Sequence, residues 1–274
     1  MVAGSGHEDI RSTVRDHYGA RARKVIELTA NGPGDGSACC GPQDMERAMT
    51  LYSEGQMSGL PTEAIAASAG CGNPTALAGL QPGERVLDLG SGGGIDCFIA
   101  AEAVGESGYV FGLDMTPDML DLAQANKIRL GIQNVDFIKG EIEQIPLPDS
   151  HVNVIISNCV ICLSPDKDAV FSEAFRVLSP GGRLHVSDML ALSPDGPAET
   201  DSEAWSACVA GAEFKDIYLK RLESAGFIDI ETTEINTRYN DENCCESLNV
   251  ASVKVVAKKP IKKGTIPQQT TQTT

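Results

Sequence analysis

The chain has 274 residues, 42% hydrophobic and 22% charged, a balance that suits a globular fold with a sizeable core. Its formal net charge of −16 repels phosphate backbones and anionic lipid, so nucleic acid is disfavoured as a substrate and a small molecule is favoured. No apolar run reaches the roughly 18 residues of a membrane span and the N-terminus lacks a signal-peptide pattern, so the expectation is a cytoplasmic protein with no membrane partner.

A helical pattern runs over residues 10–28, and Arg11, Arg15, Arg21, Arg23 and Lys24 give it most of the early positive charge. Residues 31–37, rich in Gly, Pro and Asp, are expected as a loop that delivers the vicinal pair Cys39-Cys40. Short helices are expected at 43–52 and 61–68, the second with Pro61 near its first turn and Glu63 at its positive end. Cys71-Gly72-Asn73-Pro74 follows as a turn.

From residue 85 strands and helices alternate, which predicts a doubly wound α/β fold: a parallel sheet with helices on both faces. The strands are expected at 85–89, 109–114, 135–139, 152–157, 183–187, 227–235 and 252–257. The intervening helices are expected at about 95–104, 116–130 (with Thr116 as N-cap), 166–178 and 214–225. The organisation predicted is an N-terminal extension over 1–80, a domain over 81–259 with an insertion at about 191–214, and a disordered Lys/Pro and Gln/Thr tail over 260–274.

The stretch Val86-Leu87-Asp88-Leu89-Gly90-Ser91-Gly92-Gly93-Gly94-Ile95-Asp96 reads as a buried strand, a glycine-rich turn and the start of a helix. Glycines let the backbone turn tightly and let a ligand lie against it, and the helix behind offers free N–H groups. Such a turn suits a dinucleotide or another adenosine cofactor. The dinucleotide fingerprint would place its third glycine at Ile95. What stands instead, Asp88-x-Gly90-x-Gly92-x-Gly94, resembles the first motif of the doubly wound S-adenosylmethionine (SAM) methyltransferases.

Three further features bear on that cofactor. The second strand ends in Asp114-Met115, where a carboxylate can take both ribose hydroxyls or, alternatively, cap the helix that follows. The resemblance implies that the loop Gly140-Glu141-Ile142-Glu143 lines the adenine. The fourth strand ends in Ser157-Asn158-Cys159, beside the first strand at the switch in strand order. The resemblance covers residues 81–258 and implies a mostly parallel seven-stranded, Rossmann-like sheet whose last strand is an antiparallel insert. The cofactor-binding set expected is Asp88, Gly90, Ser91, Gly92, Gly94, Asp114, Met115, Glu141, Ile142 and Asn158.

The acceptor is indicated by the nine cysteines, which in a cytoplasmic chain argue against a structural disulfide framework and for metal, metalloid or redox work. No histidine stands where a general base is needed: His7 and His17 are in the N-terminal region, and His151 and His185 read as strand positions. Cys97 reads as a small buried residue; Cys162 suits either burial or function; Cys244-Cys245 reads as an exposed pair suited to thiol exchange or metalloid loading.

Cys71-Gly72-Asn73-Pro74 ahead of the glycine turn, with Tyr52-Ser53, Leu60-Pro61, Ile156-Ser157-Asn158-Cys159-Val160-Ile161 and Cys208-Val209-Ala210-Gly211-Ala212, is similar to the arsenite methyltransferases. That resemblance implies a site in which Cys71, Cys159 and Cys208 bind trivalent arsenic, with a further N-terminal thiol at Cys39 or Cys40. It departs from the family at Cys162, where relatives usually carry Asn, and at Glu213-Phe214-Lys215, where they often carry Leu-Pro.

Trivalent arsenic is soft and thiophilic, so thiolate ligands suit it. The implied activity is arsenic methylation with SAM as donor. The implied substrate is arsenite or a thiol-conjugated As(III), and a thiol reductant such as thioredoxin or glutathione reopens the disulfide that each cycle leaves. The alternatives are a SAM methyltransferase for another small acceptor, such as a thiol or quinone-like ring, and a non-enzymatic thiol-rich metalloid binder or sensor.

Overall fold

The computed structural model describes residues 4–31, 51–68, 71–73, 78–194, 205, 208, 210–235 and 250–261. Cys39, Cys40, Cys244, Cys245, most of the helix expected at 43–52, most of the insertion after the fifth strand and the tail beyond residue 261 lie outside the described residues.

Seven strands form one sheet in the order β3-β2-β1-β4-β5-β7-β6. They are β1 Arg85–Leu89, β2 Tyr109–Asp114, β3 Val135–Lys139, β4 Val152–Asn158, β5 Leu178–Ala191, β6 Ile228–Ile235 and β7 Val250–Lys258. The first five pair in parallel, and β7 runs antiparallel between β5 and β6, so the mixed seven-stranded sheet implied by the resemblance is present. The fifth strand is longer than expected at both ends. Ser179-Pro180-Gly181-Gly182 reads as a turn, yet Leu178 already pairs with Val152 across an irregularity in β4.

Alternation along the central strands divides the core. Val86, Val154 and Ile156 pack to one side with Cys97, Ala100 and Val104. Leu87, Leu89 and Ile155 pack to the other with Phe171, Tyr218 and Leu222. Strands buried on both faces are what an all-parallel centre requires. The helices are α1 Gly4–Asn31, α2 Glu54–Met57, α3 Thr62–Ala67, α4 Ile95–Val104, α5 Pro117–Leu130, α6 Lys167–Val177 and α7 Lys215–Ala225. Helix α5 begins with Pro117 and ends at Gly131 in the left-handed region, with Lys127 and Arg129 in its last turn, a distribution that agrees with the helix dipole. Thr116 is its N-cap by position, but its side chain makes no cap bond; Asp114 Oδ1 accepts from the Thr116 amide at 2.8 Å instead.

The N-terminal extension is part of the body. Ala22 and Val25 of α1 pack with Ala67, Met119 and Leu122. Arg21 donates to the carbonyls of Ala66, Ala67 and Ser68 at 3.2, 3.3 and 2.9 Å, satisfying the open end of α3. Helix α1 therefore lies across the carboxyl ends of the strands and roofs the cleft there. Among the described residues no helix is long and apolar enough to cross a membrane.

Candidate active site

The cleft opens where strand order reverses between β1 and β4, the place ligands occupy in open α/β sheets. Its floor is Gly90–Gly93, its sides are Asp114, Met115, Gly140, Ile142, Glu143, Asn158 and Cys159, and Arg11, Val14 and Tyr18 of α1 close it above. The turn is forced by contact as well as by conformation. Gly90 has φ +73°, and a Cβ there would stand 2.4 Å from Val160 Cγ2. Gly94, at φ +93°, caps α4. The amides of Gly90 and Ser91 both donate to Leu113 O, at 2.8 and 3.0 Å, which ties the turn to the end of β2.

Asp114 takes the capping place at the start of α5 and also stands on the cleft wall. Its Oδ2 accepts from the Gly92 amide at 2.9 Å while Oδ1 holds Thr116, and it remains on the cleft wall. Asp88 does not reach the wall. It is 2% exposed beneath the turn, and its Oδ2 accepts from Cys97 Sγ at 3.3 Å. Glu141 is also displaced from its expected place: Gly140, Ile142 and Glu143 face the cleft, while Glu141 stands 3.6 Å from Arg11 Nε. The expected Gly90, Ser91, Gly92, Asp114, Met115, Ile142 and Asn158 line the cleft.

Asp96 is a cleft residue that the motif reading passed over. Tyr52 Oη donates to its carboxylate at 3.1 Å, and Asn158 Nδ2 donates to Oδ2 at 3.2 Å. Burial pushes its pKa up to about 6, against the lowering effect of those two donors. Burial also raises Asp114, and raises Asp88 well above the usual carboxylate range, with the negative charges of Asp96 and Asp114 adding to the Asp88 shift. Three carboxyl groups in one buried corner make a region that a cation stabilises. Ser91 adds a buried hydroxyl oxygen with no protein partner.

Cys71, Cys159 and Cys208 meet in one buried cluster, and Cys159 lines the cleft. Cys71 and Cys159 form a disulfide, with Cα atoms 5.8 Å apart across 88 residues of chain. Cys208 Sγ donates to Cys159 O at 3.5 Å. The three pack in one buried cluster with Cys162, Val14, Leu163, Met189 and Ala212. The sequence thus brings its three predicted cysteines together, but the expectation of three free thiols holds here for Cys208 alone. Among the described residues no group of three His, Cys, Asp or Glu is arranged to hold a metal ion. Opening the Cys71–Cys159 bond is therefore a precondition for any three-thiol site.

Backbone strain also gathers here. Among the described residues, the non-glycines with positive φ are Ser150, Cys159, Cys208 and Asp229, so two of the four are site cysteines. Such conformations cost energy and persist where surrounding structure fixes them, often at functional sites.

A family model described as a methyltransferase domain matches residues 80–226. The arsenite methyltransferase of Halobacterium salinarum is 37% identical over 270 residues, covering 95% of this chain and 69% of that protein. The chain belongs to the arsenite methyltransferase family.

A second member of the arsenite methyltransferase family, from Aquipseudomonas alcaligenes, is 36% identical over 82% of this chain and 64% of its own length. The crystal structure of an arsenic(III) S-adenosylmethionine methyltransferase from Chlamydomonas reinhardtii superposes with a TM-score of 0.62 at 36% identity, covering 77% of this chain and 74% of that one. The chain thus spans about two thirds of the length of the curated relatives it matches. Within this family framework, the residues that sequence reasoning missed are Asp96, its partner Tyr52, and Tyr18 of the roof helix. Tyr52 and Asp96 stood inside stretches already singled out, but nothing local marked them as partners of each other or of Asn158.

Proposed function

We propose that this arsenite methyltransferase family member transfers methyl groups from SAM to trivalent arsenic held by Cys71, Cys159 and Cys208. The observation that carries the reading is the convergence of these three cysteines, scattered over 138 positions of sequence, in one buried cluster whose Cys159 lines the glycine-turn cleft.

The residues present fit SAM. An added Cβ at Gly92 would meet only Met119 Sδ at 4.0 Å, so the turn is open there; Ser91 Oγ has no protein partner, and the acidic corner of Asp96, Asp114 and Asp88 suits a ligand bearing positive charge. When bound, SAM supplies an electrophilic methyl group. Asp114 and the Gly90–Gly92 backbone would hold the adenosine side, with Met115 and Ile142 as apolar walls. Asp96 and Asn158 face the end of the cleft nearest the cysteines.

Three thiolates bind arsenic through As–S bonds and leave its lone pair free to face the cleft. Each thiol gives up its proton on exchange with an arsenic-bound hydroxyl or thiol, so no side-chain base is needed. The site's main contribution is then positioning of two reactants, worth about 7–11 kcal/mol in well-oriented systems. Methylation formally oxidises arsenic by two electrons, and closure of a disulfide between two site thiolates returns them. The pairing of Cys71 with Cys159 supports this role. Cys39 or Cys40 serves in thiol exchange or arsenic loading, and thioredoxin or glutathione reopens the disulfide. The activity would serve arsenic detoxification in the cytoplasm.

The direct experiment incubates the chain with arsenite, SAM and a thiol reductant and follows arsenic speciation together with S-adenosylhomocysteine. Methylated arsenicals should accumulate one methyl per S-adenosylhomocysteine formed. Turnover of SAM without methylated arsenic would sink the substrate assignment, and SAM binding with unchanged activity in Cys71→Ser/Cys208→Ser would point to another acceptor.

A further inference from the structure

Arg11, Val14 and Tyr18 follow one another at spacings of three and four, which puts them on one face of α1, and all three line the cleft. Val14 and Tyr18 also pack in the cysteine cluster, whereas Arg11 reaches the loop after β3. The Arg11 side chain is 19% exposed, yet its Nε is fully buried and has no hydrogen-bond partner among the described residues. Glu141 Oε2 stands 3.6 Å from Nε, and Glu143 Oε1 stands 3.5 Å from Nη2. Both are ion-pair distances, beyond the usual range of an N–H to oxygen hydrogen bond.

Other arginines of the chain are closed differently. Arg176 donates to Glu173 at 2.7 Å and to the carbonyls of Ile145 and Leu147 at 2.8 Å. Arg183 donates to Glu84 at 2.6 and 2.8 Å. A buried donor left open costs stability, so an open N–H on the wall of a cleft points to an acceptor that the cleft receives.

Glu143 is a fixed partner. Its side chain is 10% exposed, and its Oε1 accepts from Ser164 Oγ at 2.5 Å. Ser164 is buried, and its Oγ in turn accepts from the Asp166 amide at 3.1 Å, at the start of α6. The guanidinium of the roof helix is thus set against a carboxylate that the body of the domain holds in place.

We propose that Arg11 is a cofactor-contacting residue: its open Nε–H donates to a ring nitrogen or a ribose oxygen on the adenosine side of SAM, while Glu143, held by Ser164, keeps the guanidinium over the cleft. The inference rests on the placement of SAM given above, with the adenosine side against Asp114, Met115 and Ile142, and is independent of the methyl acceptor. The methionine carboxylate is the other acceptor that an arginine could take. Two carboxylates already flank Arg11, so its charge is balanced and a neutral acceptor suits the remaining N–H better than a third anion.

The probe that separates the two is 5′-methylthioadenosine, which carries the adenosine side without the amino acid. In equilibrium dialysis with the full chain, Arg11→Met should weaken SAM, S-adenosylhomocysteine and 5′-methylthioadenosine by the same factor, about tenfold. Arg11→Lys returns the charge without a donor at that point of the side chain and should stay weakened for all three. Arg11→Met/Glu143→Gln should bind no more weakly than Arg11→Met, because Glu143 acts through Arg11.

Weakened SAM with unchanged 5′-methylthioadenosine would put the contact on the methionine side and overturn the proposal. Wild-type affinity for all three ligands in Arg11→Met, or full recovery in Arg11→Lys, overturns it as well. A further loss in the double variant overturns the part assigned to Glu143. If Arg11→Met does not fold, Arg11→Lys gives the same three-ligand comparison. Asp114→Ala checks the placement, since it too should weaken all three ligands. Unchanged binding in that variant would remove the placement and the proposal together, whereas weakened binding there beside wild-type binding in Arg11→Met refutes the role of Arg11 alone.

Discussion

The side chain of Asn158 grips the backbone of Cys71: its Oδ1 accepts from the amides of Cys71 and Gly72 at 3.0 and 3.1 Å, and its Nδ2 donates to Gly72 O at 2.8 Å. The same Nδ2 reaches Asp96 at 3.2 Å. One amide thus couples the cysteine loop to the cofactor cleft. Asn158→Ala should leave two amides and a buried carboxylate short of partners, costing about 1–3 kcal/mol for each group left unsatisfied. Asn158→Asp should be worse, because it sets a second carboxylate beside Asp96. Urea denaturation measures the stability loss, and the alkylation rate of Cys71 in the reduced chain should rise in both variants. An unchanged rate would show that the loop is held by other means.

Asp96 gives the cleft a pH signature. Its pKa is raised to about 6 in the folded chain, from an unfolded value of about 3.9, so the folded state binds more protons between those values. Its contribution to stability is present below about pH 4 and is lost as pH rises through about 6. His185, lowered to about 4 by burial and by Arg183, works in the opposite direction over an overlapping range. The difference between wild type and Asp96→Asn isolates the carboxyl. Wild type should lose stability relative to the variant by a few kcal/mol between pH 4 and 7. SAM affinity should move the other way, rising through pH 6 in wild type and staying flat in Asp96→Asn.

Gly90→Ala should weaken both the fold and the cofactor site. The position has φ +73° and the added Cβ would meet Val160 at 2.4 Å. The backbone cost alone is about 1–2 kcal/mol. Adding Val160→Ala removes the clash and leaves the backbone cost, so the double variant should recover part of the lost thermal stability. Calorimetry on the four corners of that cycle checks the partition; a double variant no more stable than Gly90→Ala would place the whole cost in the dihedral.

Arg21 is the fastener of the roof helix, with three carbonyls of α3 on its guanidinium. Arg21→Met keeps the stem and removes the donors. It should cost about 1–3 kcal/mol and speed proteolysis within α1. Because Arg11, Val14 and Tyr18 of α1 line the cleft, SAM affinity should fall in the same variant. Faster cleavage with unchanged SAM affinity would mean that the roof is not needed to hold the cofactor.

Much of the fold was legible because its signals are local. Asp88 to Gly94 announces strand, turn and helix within one short stretch, and glycines at 94, 131 and 226 end or cap helices with left-handed backbone. The site was half legible. Ser157-Asn158-Cys159 could be placed at the sheet's switch point, but the partners of Asn158 are 62 to 106 residues away and nothing near it names them. Glu141 and Glu143 are alike in sequence; only the way the loop leaves β3 decides that the second faces the cleft. A disulfide among the site thiols was expected from the chemistry, but its pairing as Cys71–Cys159 was not legible, because the same residues encode a thiol pair and its oxidised form. The N-terminal helix shows its charges readily, but its weak apolar stripe hides that Ala22 and Val25 are buried.

The reversed strand β7 carries one more contact: Ser252 Oγ donates to the carbonyl of Cys71 at 2.9 Å, across 181 residues. The glycine turn, Asp96 and Asp114 come from the first half of the chain and could assemble as soon as β1, β2 and β4 pair. The Ser252 bond to Cys71 can form only once the last strand lies between β5 and β6. Ribosomal synthesis would therefore present the glycine-turn half of the cleft before the Ser252 contact that braces the Cys71 loop.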